Sequence, residues 1–122
     1  MRLALAAALL GLAATPTIAQ PTASTAASGQ DAFNNRCADC HTLDSQSQSA
    51  PTLKGVYGRK IASLPDFAYS DALKAKTGIW DDANLNAFLA SPQTFAKGTA
   101  MYGSAPDPTE RQAIIDYLKT VK

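Results

Sequence analysis

The two cysteines and the single histidine of this 122-residue chain lie within five consecutive positions. Cys37-Ala38-Asp39-Cys40-His41 has the form C-x-x-C-H, which is the attachment signature of c-type haem. On one helical turn both thiols project to the same side, where each can form a thioether with a haem vinyl group. The next residue then directs its imidazole at the iron. The motif therefore predicts one haem c, attached through Cys37 and Cys40, with His41 as an iron ligand.

Three other uses of the cysteine pair fit the sequence less well. A redox-active C-x-x-C follows a strand of an α/β chain in thioredoxin-like proteins, and no such pattern is present here. A structural zinc site needs four ligands, and two cysteines with one histidine leave it short. A disulfide across two intervening residues would do little to hold the fold. These uses remain as alternatives to haem attachment.

The second iron ligand is indicated by the small number of histidine and methionine residues. His41 is the only histidine, so this chain has no second histidine to offer. Met1 begins an N-terminal leader, which leaves Met101 as the methionine of the mature chain. A lone methionine is normally core filler. Met101, however, lies in the Gly-flanked segment 97–103, far along the chain from His41. A loop of that kind can carry a thioether to the opposite face of the haem, so we predict that Met101 binds the iron. His/Met ligation raises the reduction potential and leaves no open site.

A leader precedes the part of the chain that can fold. A positive start and the apolar run 3–14 are followed by small residues ending at Ala19, so we predict a signal peptide over 1–19. The alternative, an uncleaved anchor, is disfavoured because a spanning helix needs about 20 apolar residues. Residues 20–28, rich in Pro, Thr, Ser and Ala, are predicted to be a flexible linker. The folded domain is predicted to occupy 29–122.

Charge and export narrow the possible partners. The sequence has 11 basic and 10 acidic residues, and Arg2 leaves with the leader, so the mature chain carries ten of each. No block of basic residues points to nucleic acid. We expect a periplasmic monomer that has no nucleic-acid partner and no stable insertion in a membrane.

The elements that must position these side chains are short helices joined by long loops. No alternating segment is long enough to argue for a strand. Ser70 is predicted to cap one helix and Pro92 to close another, while Thr109 begins a predicted capping box. The predicted helices cover 31–42, 70–74, 81–90 and the segment from 109 onward. The stripe of the last helix is formed by Ile114, Tyr117, Leu118 and Val121. So small an all-α domain usually needs a cross-link or a prosthetic group to stabilise its core.

From about residue 29 to residue 119 the sequence resembles the class I cytochromes c, the small bacterial and mitochondrial type. The resemblance rests on the order and spacing of several segments. These are Cys37 to Thr42, Ala50 to Lys60, Phe67 to Lys74, Ile79 to Asp81, Gly98 to Met101, and the terminal helix. It implies the small all-α cytochrome c fold, in which short helices and loops wrap around one covalently bound haem with its iron.

The resemblance also implies roles for residues outside the C-x-x-C-H motif. The Pro51 carbonyl is expected to accept a hydrogen bond from the His41 ring, which fixes the orientation of the ligand. Donors to the haem propionates are expected, because two carboxylates are costly to bury without partners. The family's positions for such donors correspond to Arg59, Tyr69 and Trp80. Thr99, in the segment before Met101, is expected to be a further cofactor contact.

The sequence departs from the family in the methionine loop. Lys97 stands where the family usually has proline, which should loosen the loop and make Met101 easier to displace. Phe88 stands where the family often has a tyrosine that reaches the methionine sulfur. Lysines usual near the haem edge are mostly absent. We therefore expect redox partner proteins to be recognised through apolar contact, with modest electrostatic steering.

The function implied by the resemblance is that of a periplasmic carrier of single electrons, and not of an enzyme. Two alternatives remain. The chain could be the electron-accepting haem subunit of a periplasmic dehydrogenase or oxidase complex. It could also be a haem sensor or weak peroxidase in which Met101 leaves the iron.

Overall fold

The computed structural model describes the backbone from residue 23 to residue 122 and the side chains from residue 28 onward. The predicted signal peptide, 1–19, lies outside the described residues. The helices are α1 (Ala23–Arg36), α2 (Asp71–Lys74), α3 (Asp82–Ala90), α4 (Pro92–Phe95) and α5 (Pro108–Thr120). Between 23 and 122 there is no strand, only a bridge between Lys60 and Ile79. The all-α prediction is confirmed. None of these helices combines the length and the hydropathy needed to cross a membrane.

The first helix differs from its prediction at both ends. It begins at Ala23 rather than at Asp31, so residues 23–28 of the predicted flexible linker are helical. Alanine is the strongest helix former, and three of these six residues are alanine, which outweighs the serines and the threonine. The helix ends at Arg36, so the C-x-x-C-H motif follows α1 as a turn instead of lying inside it.

The core forms where α1 crosses α5. The Phe33 and Tyr117 rings lie 5.4 Å apart between centroids. Gly29 lets the two helices meet, because a Cβ atom at this position would lie 2.3 Å from the Ala113 carbonyl oxygen. Ile114 is fully buried in this interface. The first and last helices therefore pack directly against each other.

The start of α5 was predicted wrongly. Its N-cap is Asp107, whose carboxylate accepts from the Glu110 amide at 2.8 Å, and not Thr109. Pro108 explains the difference, because proline has the φ angle of a first helical residue and no N–H to satisfy there. The cap therefore falls on the residue before the proline. The predicted stripe also missed Ile115, which is fully buried.

The other helices are mostly as predicted. Ser70 caps α2 by accepting from the Leu73 amide, and Asp81 caps α3. Pro92 does not simply close α3, since it is the first residue of the additional helix α4. This helix brings Phe95 into an aromatic cluster with Trp80 and Phe88, whose ring centroids lie 5.1 to 5.8 Å apart. The bridge between Lys60 and Ile79 lies next to this cluster, because Ile79 directly precedes Trp80.

Candidate haem-attachment site

The C-x-x-C-H segment is wound onto the end of α1. The Cys37 amide continues the helical pattern by donating to the Phe33 carbonyl at 2.8 Å. The Cys40 and His41 amides both donate to the Cys37 carbonyl, at 3.1 and 2.8 Å. The Cys40 bond spans three residues, as in a 3₁₀ helix, and so tightens the last turn. Cys37 is buried, Cys40 is exposed and His41 is half-buried, so the turn runs from the core to the surface.

The electrostatics of Cys37 do not favour disulfide exchange. Burial raises the pKa of the Cys37 thiol to about 11. Redox-active cysteines have the opposite property, because their thiol pKa is lowered by a helix N-terminus or nearby cations. Cys37 instead follows a helix C-terminus. Within residues 28–122 no three His, Cys, Asp or Glu side chains cluster as metal ligands would, which argues against zinc.

The His41 ring is oriented by the backbone. Its Nδ1 lies 2.8 Å from the Pro51 carbonyl oxygen, which is the contact expected from the resemblance. A carbonyl only accepts, so Nδ1 carries the proton and Nε2 keeps its lone pair for a metal. Burial lowers the pKa of His41, against the smaller raising effect of the Pro51 bond, which favours the neutral ring. The two chain segments are joined by the Leu53 amide, which donates to the Thr42 carbonyl at 3.0 Å.

The loop of Met101 begins with a tight turn. The Thr99 amide donates to the Ala96 carbonyl at 2.9 Å, and Gly98 at the third position has φ +94°. Lys97 at the second position has a negative φ, so the turn is type II, which requires a residue such as glycine at its third position. Thr99 is buried at 2% exposure, and Met101 is half-buried.

Met101 and Cys37 are brought together. Both line one small cavity, together with Leu89 and Ile114. The next residue after the methionine, Tyr102, is 82% exposed. The structure thus places the thioether of Met101 and the buried thiol of the attachment motif on the same apolar space. Cys40 and His41 do not line this cavity, but together with Cys37 and Met101 they give two thiols, one imidazole and one thioether, a donor set that fits a covalently attached haem.

A further polar residue at this loop was missed by the sequence analysis. The Gln93 side-chain amide donates from Nε2 to the Thr99 carbonyl at 2.7 Å and to the Met101 carbonyl at 3.3 Å. Its Oε1 accepts from the Gly98 amide at 3.2 Å. Gln93 belongs to α4, a helix that was not predicted, so no sequence pattern placed its side chain beside the loop.

The three residues expected at the propionates lie in adjoining segments. The Trp80 amide donates to the Arg59 carbonyl at 2.8 Å. The Arg59 guanidinium is held by the backbone, with Nη2 donating to the Thr52 carbonyl at 2.9 Å and Nη1 to the Lys54 carbonyl at 3.1 Å. Tyr69 is half-buried, and burial raises its pKa while the nearby Arg59 charge acts against that rise.

Arg59 lacks an acidic partner within the part of the chain that the structure describes. Burial lowers the pKa of Arg59, so its charge is partly withdrawn from water. The ion pairs of residues 28–122 use Arg36, Lys74 and Lys119, and none of them joins Arg59 to a carboxylate. A partly buried cation of this kind suits an anionic group from outside the chain.

Comparison with known proteins gives one family. The family model described as Cytochrome c matches residues 26–122. The chain is 39% identical over 92 residues to cytochrome c2 iso-1 of Magnetospirillum molischianum, covering 72% of this chain and 92% of that protein. It is 36% identical over 97 residues to the cytochrome c-type cyt cy of Rhodobacter capsulatus, covering 79% of this chain and 49% of that protein. The solved structure of cytochrome cH from Methylobacterium extorquens has a TM-score of 0.72 and 41% identity, covering 78% of this chain and 97% of that chain.

Proposed function

The chain belongs to the cytochrome c family, and we propose that it is a periplasmic electron carrier whose iron is bound by His41 and Met101. The family carries a covalently attached haem c with iron, and its members carry electrons between redox partners. The bound haem supplies an iron that accepts and releases one electron. The observation that supports the proposal most strongly is that Met101 and Cys37 line the same cavity, although the sequence separates them widely.

In this proposal, the attachment turn fixes one side of the iron. Cys37 and Cys40 form the thioethers, and the turn that they bracket keeps His41 at a constant position. The Pro51 carbonyl holds the proton on Nδ1 at 2.8 Å, so Nε2 is the nitrogen presented to the iron. A hydrogen bond of this kind also increases the basicity of the ligand.

We assign Arg59, Tyr69 and Trp80 to the propionates. Arg59 is a partly buried cation without an acidic partner in residues 28–122, and its guanidinium is already oriented by two backbone carbonyls. Tyr69 offers a hydroxyl and Trp80 an indole N–H. Their role is to compensate two carboxylates that would otherwise be buried without partners.

Electron exchange is proposed to occur at the surface around Cys40 and Tyr102. Both residues are exposed, whereas the adjoining Cys37 and Met101 are buried and half-buried. The ten basic and ten acidic residues of the mature chain give no net charge, so the partner is proposed to dock mainly through apolar contact.

The ligand assignment is tested by the ferric spectrum of the exported holoprotein. We expect the Met-to-iron charge-transfer band at neutral pH in the native protein and its loss in Met101→Ala. The alanine variant should also bind cyanide rapidly, because its iron has an open position. A Met101→His variant is the matched control, since it should lose the band but remain closed to added ligands. Native protein without the band would contradict the proposed ligation.

A further inference from the structure

The side chain of Gln93 bonds across the methionine loop. One amide group donates to the carbonyls of Thr99 and Met101 and accepts from the amide of Gly98. The loop lies on the far side of the type II turn Ala96–Thr99 from α4, so these bonds join the loop to the helix that precedes it. A glutamine satisfies such a mixed set because it carries two donors and an acceptor on one rigid group.

The turn itself is weakly constrained. Its second position is where type II turns favour proline, since the fixed φ of proline matches the turn. Lys97 occupies that position here, and it is exposed. A lysine leaves the unfolded turn more conformations to lose, which makes opening of the loop easier than with proline. Bonds from outside the turn are therefore needed to keep the Met101 backbone in place.

We propose that Gln93 is a positioning residue that keeps Met101 on the iron by holding the loop closed. This inference rests on the proposed function, in which Met101 is an iron ligand. Gln93 acts through the backbone and does not touch the iron. Its side chain bonds to the carbonyl of Met101 itself and to the carbonyl of Thr99, two residues earlier. Gln93 thereby sets the fraction of molecules in which the iron coordination position of Met101 is open.

Imidazole binding to the ferric holoprotein measures that fraction. Imidazole can reach the iron only when Met101 has left, so its apparent dissociation constant varies inversely with the open population. The net contribution of such hydrogen bonds is modest, because bonds to water partly replace them when the loop opens. For Gln93→Ala we expect imidazole to bind about tenfold more tightly, which corresponds to about 1.4 kcal/mol.

A second variant separates hydrogen bonding from packing. Gln93→Glu keeps the volume and the acceptor for Gly98, but it turns a carboxylate oxygen toward two carbonyl oxygens that now lack their donor. We expect it to bind imidazole at least as tightly as Gln93→Ala. A side chain that merely fills space would leave Gln93→Glu like the native protein. Gln112→Ala is the matched control, because Gln112 is an exposed glutamine that bonds to Asp116 on α5.

The outcomes are distinct. Tighter imidazole binding in both Gln93 variants, with Gln112→Ala within about twofold of native, supports the inference. If native protein shows the Met-to-iron band and both variants bind imidazole like the control, Gln93 does not hold the ligand and the inference is wrong. If native protein lacks the band and binds imidazole as tightly as Met101→Ala, the proposed ligation fails and the inference with it. Should Gln93→Ala not be matured with haem, Gln93→Glu decides alone.

Discussion

Replacing Gly29 by alanine tests the contact on which the fold depends. Gly29 lies in α1, and an added Cβ would lie 2.3 Å from the Ala113 carbonyl oxygen, 2.9 Å from the Tyr117 Cβ and 3.1 Å from the Ala113 carbonyl carbon. Two of these three atoms are backbone atoms of α5, which cannot turn aside as a flexible side chain can. The helices must therefore move apart by about 1 Å to restore ordinary contact.

The change in the free energy of unfolding caused by Gly29→Ala is the difference between two small gains and a larger cost. Alanine gains about 1 kcal/mol over glycine in helix propensity. Its buried methyl group adds at most about 0.8 kcal/mol. Overpacking usually costs about 1–3 kcal/mol when side chains adjust, and we take about 4 kcal/mol here because the obstacle is backbone. The free energy of unfolding should therefore fall by about 2 kcal/mol, and the melting temperature by about 10 °C.

The assay is thermal and denaturant unfolding of the holoprotein, followed by far-ultraviolet circular dichroism. Gly103→Ala is the matched control, because a Cβ there meets no atom within 4 Å and the backbone is not left-handed. It should change the free energy of unfolding by less than about 0.5 kcal/mol. A Gly29→Ala protein as stable as Gly103→Ala would show that α1 and α5 tolerate a larger separation, and would contradict the predicted loss of stability.

Two further substitutions test the loop and a surface network. Lys97→Pro should raise the free energy of unfolding by about 0.4–1 kcal/mol, because proline suits the second position of a type II turn; an unchanged or lower value in urea unfolding would contradict the turn assignment. Asp82→Asn should lower it by about 0.5 kcal/mol at pH 7, since Asp82 accepts from Lys119 and Tyr57 and these bonds hold its pKa below the usual value. A carboxyl group with a depressed pKa stabilises the fold above its unfolded pKa, so the difference from native protein should vanish as pH falls through the folded pKa of Asp82. Asp31→Asn, at an exposed residue, is the control and should cost little at pH 7.

The features that could be predicted from sequence are those carried by local chemistry. The C-x-x-C-H spacing needs no knowledge of the rest of the fold, because its three side chains lie within one turn. The scarcity of histidine and methionine then singled out Met101, which the structure places on the same cavity as Cys37. The helix at 71–74 was predicted because Ser70 can cap it, and the helix at 82–90 was predicted to begin at Asp81, which the structure shows to be its cap.

The features that could not be predicted depend on details of local geometry that hydrophobic periodicity does not encode. The cap at Asp107 was missed because Thr109 and Gln112 also fit a capping pattern, and only the fixed φ of Pro108 decides between them. Gln93 was missed for a different reason. Its three partners lie in a loop whose path is set by a type II turn, and a glutamine in a four-residue helix carries no pattern of its own.

The two halves of the site are joined through the same helix pair that forms the core. The attachment turn continues α1, whose last residue, Arg36, forms a bidentate pair with Glu110 in the first turn of α5 at 2.9 Å. On the other side, the buried Arg111 of α5 donates to the Ala105 and Pro106 carbonyls at 2.7 and 3.0 Å, which holds the chain just after the methionine loop. Consecutive residues of α5 therefore hold the histidine and the methionine segments. On the proposed ligation by His41 and Met101, a displacement of α1 against α5 is therefore expected to strain the iron ligands as well as to weaken the helix pair.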